Sequence, residues 1–380
     1  MKRVLFIIGG FLFALISFSF NNYKLSLKNY LNPDSLRAIY SRSPAQWPKP
    51  FIDSGVKWQE LGVLPKPPVS LQSTTQKPMI DLGKILFYDP RLSGSNQISC
   101  ISCHAPEMHW SDGRQVSLGH NQMANSRNAP SLENVWFYKA LFWDGRAKDL
   151  EEQMTGPISS DIEMHQDLKL LPKKLSKIKG YLSLFAIAFG DKKITQERIA
   201  KALSTYQLTF TSRKSDFDYF LEGNSKRLTD QQIEGLHLFR TKARCMNCHN
   251  GSLFTDNDFH NLGLTYYGRD KYQDLGRYNI TKKPEDVGKF KTPGLRDVMN
   301  TKPWFHNGLF DNIEGVMNMY NAGMARPKPK PEQVSDPLFP ITDIHLKKLN
   351  LTPQERAAVI SFLSAITTEP WRIQAPEMPQ

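Results

Sequence analysis

The chain's four cysteines all stand in two pentapeptides, CISCH at residues 100–104 and CMNCH at residues 245–249. Two thiols set two residues apart and followed at once by an imidazole can hold zinc, form a disulfide or redox dithiol, or attach haem c. A haem takes thiols at this spacing onto its two vinyl groups, and the adjacent imidazole swings under the iron as proximal ligand. A zinc site would need Cys100, Cys103, Cys245 and Cys248 to converge while both histidines stood idle. The pattern predicts two covalent haems, haem 1 on Cys100, Cys103 and His104 and haem 2 on Cys245, Cys248 and His249.

Elements that could present these groups occur twice. Before the first pentapeptide a helix is expected across Asp81–Tyr88, and its distant counterpart carries Ile199, Ala202, Leu203, Tyr206 and Phe210 at helical spacing. Before the second, Thr229 and Gln232 form a capping box that opens a helix through Ile233, Leu236 and Phe239. Thr352, Pro353 and Glu355 open another with Val359, Phe362, Leu363 and Ile366. Between the paired helices run long irregular excursions, and these also repeat. NAPSLENVWFYKALFWDGR matches KTPGLRDVMNTKPWFHNGL, so that Pro130, Leu132, Val135 and Gly145 fall on Pro293, Leu295, Val298 and Gly308 without a gap. No stretch shows the sustained alternation that a sheet would need. The expected fold is all-α, two tandem cytochrome c-type domains each with one haem c. The expected division is 78–218 for the first domain, 219–372 for the second, 373–380 for a tail and 21–77 for an extension of unassigned role.

Composition agrees with a folded protein, since 40% apolar and 11% aromatic residues exclude a disordered polymer. A formal charge of +12 keeps the protein soluble and steers acidic partners at low ionic strength; no nucleic-acid partner is expected. The start, MKRVLFIIGGFLFALISFSF, sets Lys2 and Arg3 before an apolar run from Val4 to Phe20, the pattern of an export signal. Residues 1–20 are thus a signal peptide or, with no evident small-residue cleavage site, an uncleaved membrane anchor. The expected location is periplasmic.

Differences between matched positions indicate how the two irons differ. Beyond Gly308, Ile313, Val316, Met317 and Tyr320 share one helical face while Met319 points elsewhere. Tyr320 lies as far past Gly308 as Pro157 lies past Gly145. Tyrosine can ligate iron and proline cannot. Haem 2 is therefore expected to be closed by Tyr320, with Met317, Met319 and Met324 as competitors, and haem 1 to admit a small molecule. An open haem points to peroxide chemistry, which needs a group to move a proton between the two oxygens and a polar neighbour to orient them. Gln153 and Glu163 follow Gly145 on the segment that should cross haem 1.

With FYDPRLSGS, RNAPSL, FWDGRAKDLEEQ, GPISSDIEM and KTPGLRDV to WFHNG in order around the two pentapeptides, residues 76–370 resemble the bacterial di-haem cytochrome c peroxidases and their relative MauG. The resemblance implies a peroxidatic haem in the N-terminal domain, Trp143 as an electron relay between the haems, and Gln153 and Glu163 as the pair that orients and protonates peroxide. It implies an inter-haem calcium held by Asn128 with the carbonyls of Thr301 and Pro303, oxygen donors that suit this ion. His120 in SLGH matches a loop histidine that caps haem 1 until haem 2 is reduced. The chain departs from both patterns: classical peroxidases have methionine where Tyr320 aligns, and MauG has tyrosine there but lacks the loop histidine. The leading expectation is reduction of hydrogen peroxide to water with electrons from a small cytochrome c or cupredoxin docking near haem 2. A MauG-like oxidase that modifies aromatic residues of a partner protein is the alternative, and a non-catalytic di-haem electron carrier the third. A homodimer is one assembly state to expect.

Overall fold

The computed structural model describes residues 32–380, so the export signal or anchor expected at 1–20 lies outside the described residues. The described part is helical. Its α-helices are α1 (Pro33–Tyr40), α2 (Lys77–Tyr88), α3 (Leu150–Gln153), α4 (Thr155–Ser159), α5 (Leu171–Ser176), α6 (Lys179–Phe189), α7 (Gln196–Gln207), α8 (Asp216–Leu221), α9 (Asp230–Arg240), α10 (Tyr278–Thr281), α11 (Ile313–Ala322) and α12 (Pro353–Ala365). Its extended structure is one antiparallel pair of two-residue strands, β1 (Phe259–His260) and β2 (Phe290–Lys291). Among the described residues no helix is long and apolar enough to cross a membrane.

Helix starts follow local chemistry. Thr229 and Gln232 close a reciprocal capping box on α9, Thr352 and Glu355 do the same on α12, and the Thr195 side chain caps α7, each satisfying amide donors that a helix start leaves orphaned. Helix α7 ends at Gln207, so Phe210 lies beyond it, and its ring stacks on Trp110 at 3.7 Å.

Two helix pairs carry the packing, α2 against α7 and α9 against α12. In each, a glycine at the crossing lets the backbones touch: a Cβ on Gly83 would collide with the Ala202 carbonyl, and one on Gly235 with the Ala358 carbonyl. Around the first pair a core forms from Leu82, Leu86, Phe87, Ile199, Leu203 and Tyr206, and around the second from Ile233, Leu236, Phe239, Val359 and Phe362. The first core ends at Phe210 and the second takes in Phe217 and Phe220 of α8. A boundary between 218 and 219 would therefore cut a helix that packs as one unit with the second core.

The first and last described segments cross over. Leu36, Tyr40, Trp47 and Leu61 of the extension join the second core. There Arg37 binds Asp230, Glu60 pairs with Arg240, and Asp53 pairs with Arg244. The C-terminal segment runs the other way: Ile373 and Met378 pack on the first core, and Gln380 accepts from the Gly180 amide at 2.7 Å. The described part of the extension and the tail each cover one half.

Where the extension meets the second half stands a buried ion pair. Arg296 and Asp218 meet at 2.8 Å with side chains 2% and 0% exposed, Arg296 donates to the carbonyls of Gly62 and Ser252, and Asp218 accepts from the Leu64 amide. Burial works against charge on Asp218, but Arg296 and Ser215 hold its carboxyl below the ordinary value. Asp218→Asn is predicted to destabilise the chain by about 3–5 kcal/mol, because it strands a buried guanidinium; urea unfolding measures it. The lowered carboxylate stabilises above about pH 4, the unfolded value, and this contribution is lost as pH falls from there through the folded value. The difference between wild type and variant is expected to shrink on acidification.

Candidate functional site

A cavity of ≈ 1080 Å³ is lined from both halves and reaches both pentapeptides, with Cys100, Cys103, His104, Cys245, Cys248 and His249 all on its wall. None of the four thiols is in a disulfide, and burial pushes those of Cys100 and Cys245 up to about 12. The ring of His104 meets the Trp110 carbonyl through Nδ1 at 2.8 Å, and that of His249 meets the Phe254 carbonyl through Nδ1 at 3.0 Å. A carbonyl only accepts, so each Nδ1 carries the proton and each Nε2 keeps its lone pair. Burial lowers the pKa of both imidazoles and favours this neutral form. Two thiols and a lone-pair imidazole on one apolar wall, twice over, suit haem c and its iron.

On the first half's side, α3, α4 and the turn after them place Gln153, Pro157 and Glu163 on the cavity wall with Met154, Ile158 and Met164. Glu163 Oε1 accepts from Asn125 Nδ2 at 2.6 Å, which ties the loop that carries His120 to the Glu163 segment. The loop is pinned a second time where the His120 amide donates to the Glu163 carbonyl at 2.8 Å. Gly119 lines the cavity but His120 does not; its ring stacks on His165 at 4.5 Å, and His165 bonds Asp161.

Between the halves stands Trp143, whose Nε1 donates to the Asn128 carbonyl at 2.9 Å. The Asn128 amide in turn donates to the His306 carbonyl at 2.8 Å. Asn128, Thr301 and Pro303 all line the cavity, and Asn128 Nδ2 is spent on the carbonyls of Arg114 and Gln115 at 2.8 and 3.3 Å. That leaves its Oδ1 as the atom suited to a cation. Arg127 binds Asp144 in the first half and Asp274 in the second, both at 2.6 Å, a partly buried clamp across the seam.

On the second half's side, Ile313, Val316, Met317 and Tyr320 of α11 line the cavity, whereas Met319 and Met324 do not. Burial pushes the Tyr320 phenol above its ordinary value, and the Cys248 and Cys245 thiols add to the effect. Tyr320 and Met317 are thus the candidates that reach the haem 2 side.

Sequence reasoning missed three cavity residues. His260 is held between Asp343 at 2.6 Å and Asp256 at 2.9 Å; burial opposes its charge, but the two carboxylates and Cys248 raise it to about 12. Only the Asp256 spacing hinted at this, because Asp343 comes from far along the chain. His306 stacks on Phe290 at 3.5 Å, and burial lowers its pKa to about 3. Lys291 is the third.

The His120 loop depends on a close approach. A Cβ at Gly119 would collide with the Ile162 carbonyl and lie 2.7 Å from the Glu163 Cα, whereas one at Gly315, in the first turn of α11, meets nothing nearer than 3.6 Å. Gly119→Ala is predicted to cost about 1–3 kcal/mol by overpacking, and Gly315→Ala to be neutral or stabilising by up to about 1 kcal/mol through helix propensity, both read by denaturant unfolding.

Comparison with known proteins agrees with this geometry. The family described as di-haem cytochrome c peroxidase matches residues 77–226. The chain is 35% identical over 319 residues to the methylamine utilization protein MauG of Methylophilus methylotrophus, covering 82% of this chain and 88% of that one. It is 32% identical over 348 residues to the cytochrome-c peroxidase IdrP1 of Pseudomonas sp. (strain SCT), covering 84% and 89%. The crystal structure of a MauG-like protein associated with microbial copper homeostasis superposes with a TM-score of 0.70 at 29% identity, over 83% of this chain and 99% of that one. With lone-pair imidazoles beside both thiol pairs and relatives that match most of its length, the chain belongs to the di-haem cytochrome c peroxidase family.

Proposed function

We propose that the chain reduces hydrogen peroxide to water with electrons from a small cytochrome c or cupredoxin, through two tandem cytochrome c-type domains that meet near residues 211–215. One molecule of peroxide takes two electrons and two protons and yields two waters, so two donor molecules are oxidised per turnover. The observation that carries this reading is the wall where Gln153, Pro157 and Glu163 lie together in the first half.

Cys100, Cys103 and His104 would hold haem 1, and Cys245, Cys248 and His249 haem 2; bound there, a haem supplies the iron that accepts peroxide or passes electrons. Pro157 offers no ligand atom. Glu163, fixed by Asn125, takes the proton from the near oxygen and delivers it to the far one, while Gln153 orients the substrate. Trp143, held by the Asn128 carbonyl, stands as the relay. A calcium ion at Asn128, Thr301 and Pro303 would stiffen the seam beside it. His120 supplies a ring that can approach haem 1 only if it leaves its stack on His165. Residues 1–20 direct export to the periplasm, with the apolar run from Val4 to Phe20 able to serve as a tether.

Glu163→Gln keeps the Asn125 contact and removes the proton shuttle. It is expected to lower kcat for peroxide by about 10²–10⁴-fold with little change in haem content, in a steady-state assay with a reduced small cytochrome as donor. Unchanged kcat would exclude Glu163 from the proton transfer.

Tyr320 on the haem 2 wall supports a second reading, a MauG-like oxidase acting on aromatic residues of a partner protein. Methionine raises the potential of haem 2 and favours electron entry, whereas a phenolate favours the oxidised iron, so a tyrosine ligand is compatible with both readings and a methionine ligand with the peroxidase alone. Tyr320→Phe is expected to change the low-spin haem spectrum and Met317→Leu to leave it unchanged; the opposite pattern makes Met317 the ligand and removes the basis of the second reading.

A further inference from the structure

The two halves are related by a repeat, and hydrogen bonds across the seam obey it. Asn128 and Lys291 occupy matched positions two residues before Pro130 and Pro293, and Trp143 and His306 occupy matched positions thirteen residues after them. The Asn128 amide donates to the His306 carbonyl at 2.8 Å, and the Lys291 amide donates to the Trp143 carbonyl at 2.8 Å. Phe142 and Phe305, the residues just before, adopt the same left-handed backbone, with φ of 65° and 66°. The seam thus has an approximate two-fold symmetry in which each half grips the other.

The same symmetry applies to the proposed calcium ligands. Asn128 in the first half works with the carbonyls of Thr301 and Pro303 in the second. At the matched positions stand Lys291 in the second half and Tyr138 and Ala140 in the first. Lys291 Nζ donates to the Ala140 carbonyl at 3.2 Å and lies 3.8 Å from the centre of the Tyr138 ring, a face that attracts cations. Lys291 and Tyr138 line the cavity. The carboxylate acting on Lys291 is Asp144, and that group is already bound by Arg127 at 2.6 Å and Arg146 at 3.0 Å.

We propose that Lys291 is a built-in cation: its ammonium occupies the second half's copy of the calcium site, where the Ala140 carbonyl and the Tyr138 ring replace the oxygens that surround the ion in the first. The duplicated scaffold then carries two cation positions flanking the Trp143 relay, one filled from solution and one by the chain. A fixed positive charge there stabilises added electrons and raises the potential of the neighbouring haem. Burial lowers the Lys291 pKa to about 7 and Asp144 opposes this.

This inference rests on the calcium reading of Asn128, Thr301 and Pro303. The test is made on holoprotein with two haems per chain, by potentiometric titration of both haems and by calcium content after equilibration with Ca²⁺. Lys291→Met is expected to shift one midpoint potential downward, and Lys291→Arg to keep it near the wild-type value. Lys291→Asn, which restores the first half's amide at this position, is expected to raise calcium from one to two ions per chain. Wild-type midpoints in Lys291→Met would overturn the fixed-charge role, and unchanged calcium in Lys291→Asn would overturn the equivalence of the two sites. Wild-type protein without calcium would overturn the reading of the first site, while the potentiometric comparison would still decide the charge of Lys291.

Discussion

Two backbone carbonyls govern this chain's chemistry. Those of Trp110 and Phe254 each take the Nδ1 proton of a motif histidine, and only then does Nε2 hold its lone pair for an iron. Reaching back to the imidazole within five or six residues requires a sharp turn, and both loops make it with left-handed residues that are not glycine. His109 and Trp110 have φ of 53° and 58°, and Phe254 has φ of 56°, conformations that cost energy outside glycine and persist where the surroundings enforce them. The surroundings are the two cores: Trp110 is stacked on Phe210, and Phe254 packs against Phe217, Phe239 and Phe362. The helix pairs, their glycine crossings and the arms from the opposite ends of the chain all hold these turns.

The same scaffold is used twice, and a few matched positions differ. Pro157 stands where the other half has Tyr320, Trp143 where it has His306, and Asn128 where it has Lys291. In the proposed function each pair exchanges a group with a different electronic role, as ligand, relay or cation, while the backbone bonds around it stay alike. Asymmetry between the haems therefore needs no change of fold. The differing side chains lie on a common cavity wall.

Much of this was legible in the sequence. The pentapeptides named six residues that meet on one cavity wall, the capping residues named the starts of α9 and α12, and the helical face of α11 separated Tyr320 and Met317 from Met319. These features are local, with a period or a spacing to read. What was not legible depends on distant segments meeting. Asp343 reaches His260 from far along the chain, and Arg127 finds Asp274 in the other half. The ends of the chain gave no sign that each covers the opposite core, because their apolar residues have no regular period. The conformation of the His120 loop is set by Asn125 and Glu163 together, and a loop's tertiary contacts have no sequence signature.

The central claim is that the wall bearing Glu163 and Gln153 faces peroxide at haem 1 while electrons arrive through haem 2. Stopped-flow mixing of the holoprotein with hydrogen peroxide, started fully ferric and again after one-electron reduction, with a reduced small cytochrome as donor, tests it most directly. The account predicts that peroxide is consumed with two equivalents of cytochrome oxidised per peroxide. It also predicts that a requirement for prior reduction, where found, disappears in His120→Ala. A holoprotein that leaves peroxide untouched in both redox states, with both haems inert, would contradict it.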